Sequence, residues 1–268
     1  MSNIMNSLYN MRLMDDLARK KTAVHGIHPL VKLLTTLVCL TVIVSFDRYE
    51  VGGLLPFVFY PVLIFAFAEL PVVPILKRIL LVEPLIIGIG ILNPLFDHNT
   101  VVFNGIELSA GWLTFASIFI KGSLTAVVGL LLIATTGMDK LAAAMRILKI
   151  PGFFVLQLLL TYRYISVLTE EALKMFRAYS LRAPGQKGIH MSAWGSFAGN
   201  LLLRTFDRAQ QVYRAMVLRG FEGEYNTGNT QSVRLKDLAY LMGWSLFFII
   251  ARVFNLSALV GSLFTGVI

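Results

Sequence analysis

The sequence predicts an all-α membrane protein in which about five transmembrane helices carry a cytoplasmic-face module of one short and two long helices. Three observations predict it. Hydrophobic residues fill 56% of the 268 positions and mean hydropathy is +0.72, beyond the range of an ordinary soluble domain. Apolar runs long enough to cross a bilayer recur along the chain, separated by short polar turns. The formal charge of +9 is concentrated in 139–236, which holds 14 Lys and Arg against 6 Asp and Glu. Such an excess is common in nucleic-acid binders. Between membrane spans, however, the preference of basic segments for the cytoplasmic side accounts for it, so membrane lipids and no nucleic acid are expected as partners.

An N-terminal arm, 1–29, carries Arg19, Lys20 and Lys21 and is placed in the cytoplasm. It starts with mixed polar residues rather than a short apolar core and cleavage site, so no cleaved signal peptide is expected. Four spans follow within 30–136. The first is 30–46, with Lys32 close enough to its start to snorkel. The second is 51–68, where neighbouring helices can satisfy the carbonyls freed by Pro56 and Pro61. The third is 79–96; Glu83 lies within it, where an ionisable group pairs or lines an interface, or, being five residues from Arg78, is simply interfacial. The fourth, 111–136, is 26 residues long and must tilt or begin at the interface. Lys77 and Arg78 place the loop before the third span inside, and a loop at 97–110 without Lys or Arg lies outside.

A coupling module occupies 137–225. Leu141, Met145 and Leu148 recur at helical spacing in a short amphipathic helix that ends at Pro151–Gly152. A helix over 153–182 would be roughly 45 Å long at 1.5 Å per residue. After a turn-rich break at 183–191, a second long helix covers 192–219. Charge recurs every few residues in the distal halves of both, which argues for helices packed at the cytoplasmic face. A linker at 226–237 leads to a fifth span in 238–268, which contains Arg252 and ends outside. The single cysteine, Cys39, offers no disulfide framework.

Inside the module one motif is written twice, 37 positions apart. Arg177-Ala178-Tyr179-Ser180-Leu181-Arg182-Ala183 is matched by Arg214-Ala215-Met216-Val217-Leu218-Arg219-Gly220. Each copy closes a long helical run and is followed by a helix stop, Pro184–Gly185 or Gly220 with Gly223. Two helices are thus expected to end in the same way, each offering an arginine beside a small residue. Cations at helix C-termini also complement the macrodipole, for about 1 kcal/mol. That effect alone predicts scattered Lys or Arg, not one spacing twice. Arg182, flanked by Leu181 and Ala183, and Arg219, flanked by Leu218 and Gly220, are thus shaped to enter a groove on another molecule, while Arg177 and Arg214 share the repeat and are candidates equally for that contact, for solvent or for pairing inside the chain.

The chain resembles the energy-coupling T component of ECF transporters, and within it the cobalt-transport family CbiQ. The resemblance rests on Ala215-Met-x-Leu-Arg219-Gly220-Phe221-x-Gly223, His28-Pro-x-x-Lys32, Ala134-Thr-Thr136 and Leu160-Thr-Tyr-Arg163-Tyr164, which span 28–223. It implies a non-catalytic subunit in the prokaryotic cell membrane. Two CbiO-like ATP-binding-cassette subunits would receive Arg182 and Arg219 in acidic grooves and would hold the ATP and magnesium. A CbiM-like substrate-capturing protein, with or without a CbiN-like one, would receive the motion. The family's usual Ala-Arg-Gly triplet is here Leu181-Arg182-Ala183 and Leu218-Arg219-Gly220. Cobalt follows from this resemblance; nickel or a vitamin is the alternative cargo.

No cofactor is expected in this chain. His25 and His28, three apart and without a carboxylate or thiol, do not supply the three or four ligands that a metal needs and read as structural. Asp97-His98 faces outward and has no support as a site. Lys121 and Arg252 lie within spans, where ionisable groups mark pairs or interfaces, and at least one is expected to meet an intramembrane partner. The methionines Met5, Met11, Met14 and Met216 read as packing residues. Two other classes make different demands on the sequence. A membrane-embedded lipid or isoprenoid enzyme would need aspartate-rich magnesium motifs, and a self-contained carrier would show inverted repeats. Neither pattern is present, nor is a Walker A loop.

Overall fold

The computed structural model describes residues 14–48, 50–97, 100–103, 106–186, 188–223 and 232–254. In chain order the helices are α1 (Pro29–Val44), a 3-10 helix (Gly52–Val58), α2 (Phe59–Ala68), α3 (Val72–Gly90) and α4 (Leu92–Phe96). A hairpin of β1 (Thr100–Phe103) and β2 (Ile106–Ser109) follows, then α5 (Ala110–Thr136), α6 (Met138–Ile147), α7 (Gly152–Arg182), α8 (Met191–Leu218) and α9 (Leu235–Val253). The chain forms two compact units, one of 17–137 with 231–268 and the other of 1–16 with 138–230.

In the first unit, α1 opens on Pro29, which needs no N–H in a first turn, and on His28, whose Nδ1 accepts from Leu30 N at 3.2 Å. Its buried residues Val31, Lys32, Thr35, Thr36, Cys39 and Ile43 form one stripe at helical spacing. The expected second span is two elements, because Pro56 has no N–H and Gly52–Gly53 is a poor helix former; the tighter 3-10 turn prevails up to Val58. α3 starts at Val72 rather than at 79, so Lys77 and Arg78 sit in its second turn and not in a loop. Val72, Val73, Ile75 and Leu76 simply extend the apolar period backward, and Pro74 fits a first turn. The connection shrinks to 69–71, with Glu69 at φ 50 closing α2.

The expected loop at 97–110 contains the antiparallel hairpin, paired from Thr100↔Ser109 to Phe103↔Ile106. α5 is the central helix and packs on both α1 and α3. Glycines set its approach: a Cβ at Gly122 would stand 2.9 Å from Ile86, and one at Gly111 would stand 2.7 Å from Asn93 O and Pro94 Cα. α9 lies on α1 and adds an aromatic cluster, with Phe248 stacked 5.7 Å from Phe57 and Trp244 edge-on to Tyr60 at 4.7 Å. The rest of the expected fifth span, beyond 254, lies outside the described residues, as do arm residues 1–13 (Met5 and Met11 among them), linker residues 226–231 and His98.

Among the described residues three helical stretches are long and apolar enough to cross a membrane: Val72–Phe96, Ala110–Thr136 and Gly152–Arg182. Pro29–Val44 and Gly52–Ala68 are shorter apolar helices. Leu76, Leu80, Leu81 and Leu85 stand exposed along α3, as a lipid-facing wall requires. The protein is therefore a helical multi-pass membrane protein. Gly152–Arg182 belongs to this set because its first eighteen residues carry only Arg163, whereas the sequence reading weighed the charges from Glu170 onward. Within the described residues α9 falls outside this set, since Lys236, Asp237 and Arg252 lie within its 19 residues, and the rest of the expected fifth span is not among those residues.

In the second unit, α6 packs on α7 and α7 on α8. Tyr162 of α7 donates to Asp15 Oδ1 at 2.7 Å, which ties the N-terminal helical segment to the unit. α6 ends in a Schellman closure: Lys149 N–H donates to Arg146 O at 2.9 Å and Ile150 N–H to Met145 O at 3.2 Å, with Lys149 at φ 60. A Cβ is disfavoured in that left-handed region, so Lys149→Gly should stabilise the protein by about 0.5–1 kcal/mol. Thermal unfolding in detergent would show this as a raised midpoint, and a lowered one would contradict the assignment.

Candidate functional site

The two copies of the repeat close α7 and α8. Arg182 is the last residue of α7, and Arg219 is the residue immediately after α8. Their caps differ, although the sequence led us to expect the same ending twice. At the second, Gly220 at φ 80 completes a Schellman closure in which Gly220 N–H donates to Val217 O at 2.9 Å and Phe221 N–H to Met216 O at 3.0 Å. At the first, Ala183 takes φ −125 and no left-handed residue follows it directly. The cause is Pro184, which disfavours helical backbone at the residue before it, and Gly185 then completes the turn at φ 93.

Both tips are open. Leu181 is 82% and Leu218 88% exposed, and Arg182, Arg219, Gly220 and Arg214 are exposed beside them, with Ala183 half-buried. Among the described residues Arg182, Arg214 and Arg219 have no ion-pair partner, while Arg177 interacts within the chain. A bare guanidinium next to a bare leucine offers a forked donor with an apolar shoulder, the shape that recognises carboxylates inside a groove.

What holds the tips apart is the body of the unit. Tyr179 OH donates to Gln186 Oε1 at 2.9 Å and accepts from His190 N–H at 3.3 Å, pinning the turn between α7 and α8. His190 also caps α8 by accepting from Ser192 N–H. Farther along, Arg204 pairs with Glu171, which Lys174 also approaches at 3.7 Å. α8 has 28 residues, so its two ends are roughly 42 Å apart at 1.5 Å per residue. Arg182 therefore lies near the start of a rod whose far end carries Arg219. The sequence reading missed the Tyr179–His190 tie; a tyrosine one turn before a Pro-Gly break was its only signal.

Lys121 and Arg252, expected to include a contact with a membrane partner, are both engaged inside the chain. Lys121 Nζ donates to Phe46 O at 2.6 Å and Asp47 O at 3.1 Å. Arg252 pairs with Glu50 at 2.8 Å, donates to Ser45 O at 3.0 Å and lies 4.3 Å above the Phe46 ring. The carbonyls at the end of α1 need donors that apolar neighbours cannot supply, and the helix dipole favours cations there. Glu83 lies midway along Val72–Phe96 and accepts from Ser123 Oγ at 2.7 Å in the packing of α3 on α5. His25 Nδ1 meets Thr22 Oγ1 at 2.7 Å, and no cluster of three or more His, Cys, Asp and Glu occurs among the described residues.

A model of the family described as cobalt transport protein, CbiQ, matches residues 20–230, most of the chain and both arginine tips. The chain belongs to the CbiQ family. This CbiQ member is 27% identical over 187 residues to an uncharacterized protein of Methanocaldococcus jannaschii, covering 65% of this chain and 64% of that one. It is 27% identical to the nickel permease LarQ of Lactiplantibacillus plantarum, over 42% of this chain and 43% of LarQ. A second uncharacterized protein of Methanocaldococcus jannaschii is 31% identical over 45% of this chain and 46% of its own length. The CbiQ member thus spans less than two thirds of each of these curated relatives.

Proposed function

We propose that this CbiQ member is the transmembrane energy-coupling component of an ATP-driven ECF importer. Arg182 and Arg219 dock two ATP-binding-cassette subunits, and the movement of those subunits passes to a separate substrate-capturing membrane protein. One observation carries the reading: two exposed arginine–leucine tips of the same sequence stand at opposite ends of a rod roughly 42 Å long, a span suited to two separate protein sockets. The basic excess of 139–236 and the absence of Lys and Arg from 97–110 favour a cytoplasmic location for the arginine tips and the N-terminus. Cobalt is the cargo favoured by the family's description, and LarQ, a nickel permease, makes nickel the nearest alternative.

The test is reconstitution. The chain, co-expressed with its ATPase pair and capturing protein and placed in liposomes, should take up Co2+ or Ni2+ only when Mg-ATP is present. Uptake or ATP hydrolysis by the purified chain alone, or failure to hold the ATPase pair, would sink the reading.

A further inference from the structure

We propose that a buried polar knot of Lys32, Thr135 and Asp237 is the positioning site through which movement enters the unit of 17–137 with 231–268; this rests on the coupling role proposed above. The chain passes between its two compact units three times, at 16–17, 137–138 and 230–231. Leu17 and Ala18, at the first, are buried, and a Cβ on Gly137 at the second would come 3.1 Å from Ala18 Cβ. Two residues before Gly137, Thr135 O accepts from Lys32 Nζ at 2.9 Å. Beyond the third passage, Asp237 Oδ1 accepts from His28 N–H at 3.0 Å, and its Oδ2 from Arg234 N–H at 2.8 Å. The first turn of α1 thus holds the last turn of α5 and the first turn of α9 together.

Ordinary capping does not call for this arrangement. Lys32 is 4% and Asp237 3% exposed, and burying ionised groups is expensive unless each is fully used. Neutral caps would serve single helix ends at less cost. A lysine and an aspartate that reach across 103 and 209 positions instead fix the ends of three helices to one another. In a close-packed interior such a knot leaves no slack, so displacement of one passage moves all three helices together. The knot also gives a role to His28-Pro-x-x-Lys32 and Ala134-Thr-Thr136, which docking leaves unexplained.

Lys32→Met and Asp237→Asn should be placed singly in the reconstituted complex, and Co2+ uptake measured per ATP hydrolysed. Both variants should keep the ATPase pair and keep hydrolysing ATP, while Co2+ moved per ATP falls about tenfold, the scale of one lost charge-assisted hydrogen bond. Ile43→Ala, a fully buried core change elsewhere in α1, should lower the amount of complex and leave that ratio unchanged. An unchanged ratio in the knot variants overturns the proposal, and so does an equal fall in Ile43→Ala or loss of the ATPase pair. Should Lys32→Met fail to reach the membrane, Asp237→Asn decides, since it keeps an acceptor oxygen in place. A parent complex that never holds the ATPase pair would instead count against the coupling role itself.

Discussion

Replacing Arg182 and Arg219 together by glutamate should release the ATPase subunits and leave the chain in the membrane at its usual level. Both side chains are exposed and unpaired among the described residues, so folding should change by no more than about 0.5 kcal/mol. Binding is another matter. Truncating one partner of a buried charge pair costs about 2–5 kcal/mol, and reversing its sign adds repulsion. Two such losses weaken association by at least about a thousandfold. Single variants should retain a weakened complex, and lysine at either site should rescue only in part because an ammonium lacks the planar fork. Co-purification reads all of this, and a double variant that still brings down an intact ATPase pair would remove the docking role from these residues. Arg204 is the contrasting case, because its partner is Glu171 of the same unit, so changing it should disturb the module and not the sockets directly.

The largest loss of stability from a single change should come from Gly111→Val. A Cβ there would stand 2.7 Å from Asn93 O and Pro94 Cα and 3.0 Å from Asn93 C. These are backbone atoms of α4, and no rotamer change relieves them. Overpacking typically costs about 1–3 kcal/mol, and a branched side chain against fixed backbone belongs at or above the top of that range. Gly129 lies in the same helix with nothing within 4 Å of its would-be Cβ. Gly129→Ala should therefore stabilise by about 0.5–1 kcal/mol through helix propensity alone. Thermal midpoints in detergent should move in opposite directions, and a Gly111→Val protein as stable as its parent would contradict the contact.

Much of this architecture can be read from the chain. α1, α5, α7 and α8 lie within a few residues of their expected bounds because an apolar period runs through each and a proline or glycine marks at least one end of it. The hairpin was legible too, since Asn104-Gly105 between two short apolar runs is a strong turn signal, but a search for membrane spans passes over four-residue strands. Lys77 and Arg78 misled because basic residues read as loop, whereas long side chains can leave a helix wall without ending the helix. The arginine pair was visible because it repeats. The jobs of Lys121, Arg252 and Asp237 were hidden, since each binds backbone carbonyls or amides far off in sequence, and backbone atoms leave no side-chain pattern to find.

The length of α8 also fixes a bearing. A helix turns about 100° per residue, so one residue inserted between Met191 and Leu218 would swing Arg219 more than a quarter of a circle around the rod and push it outward by only about 1.5 Å. Insertion of seven residues would restore the direction to within about 20° but displace the tip by about 10 Å. A change in residue count should therefore displace the tip more than most substitutions along the helix do, which makes the number 28 as much a part of the interface as the guanidinium at its end.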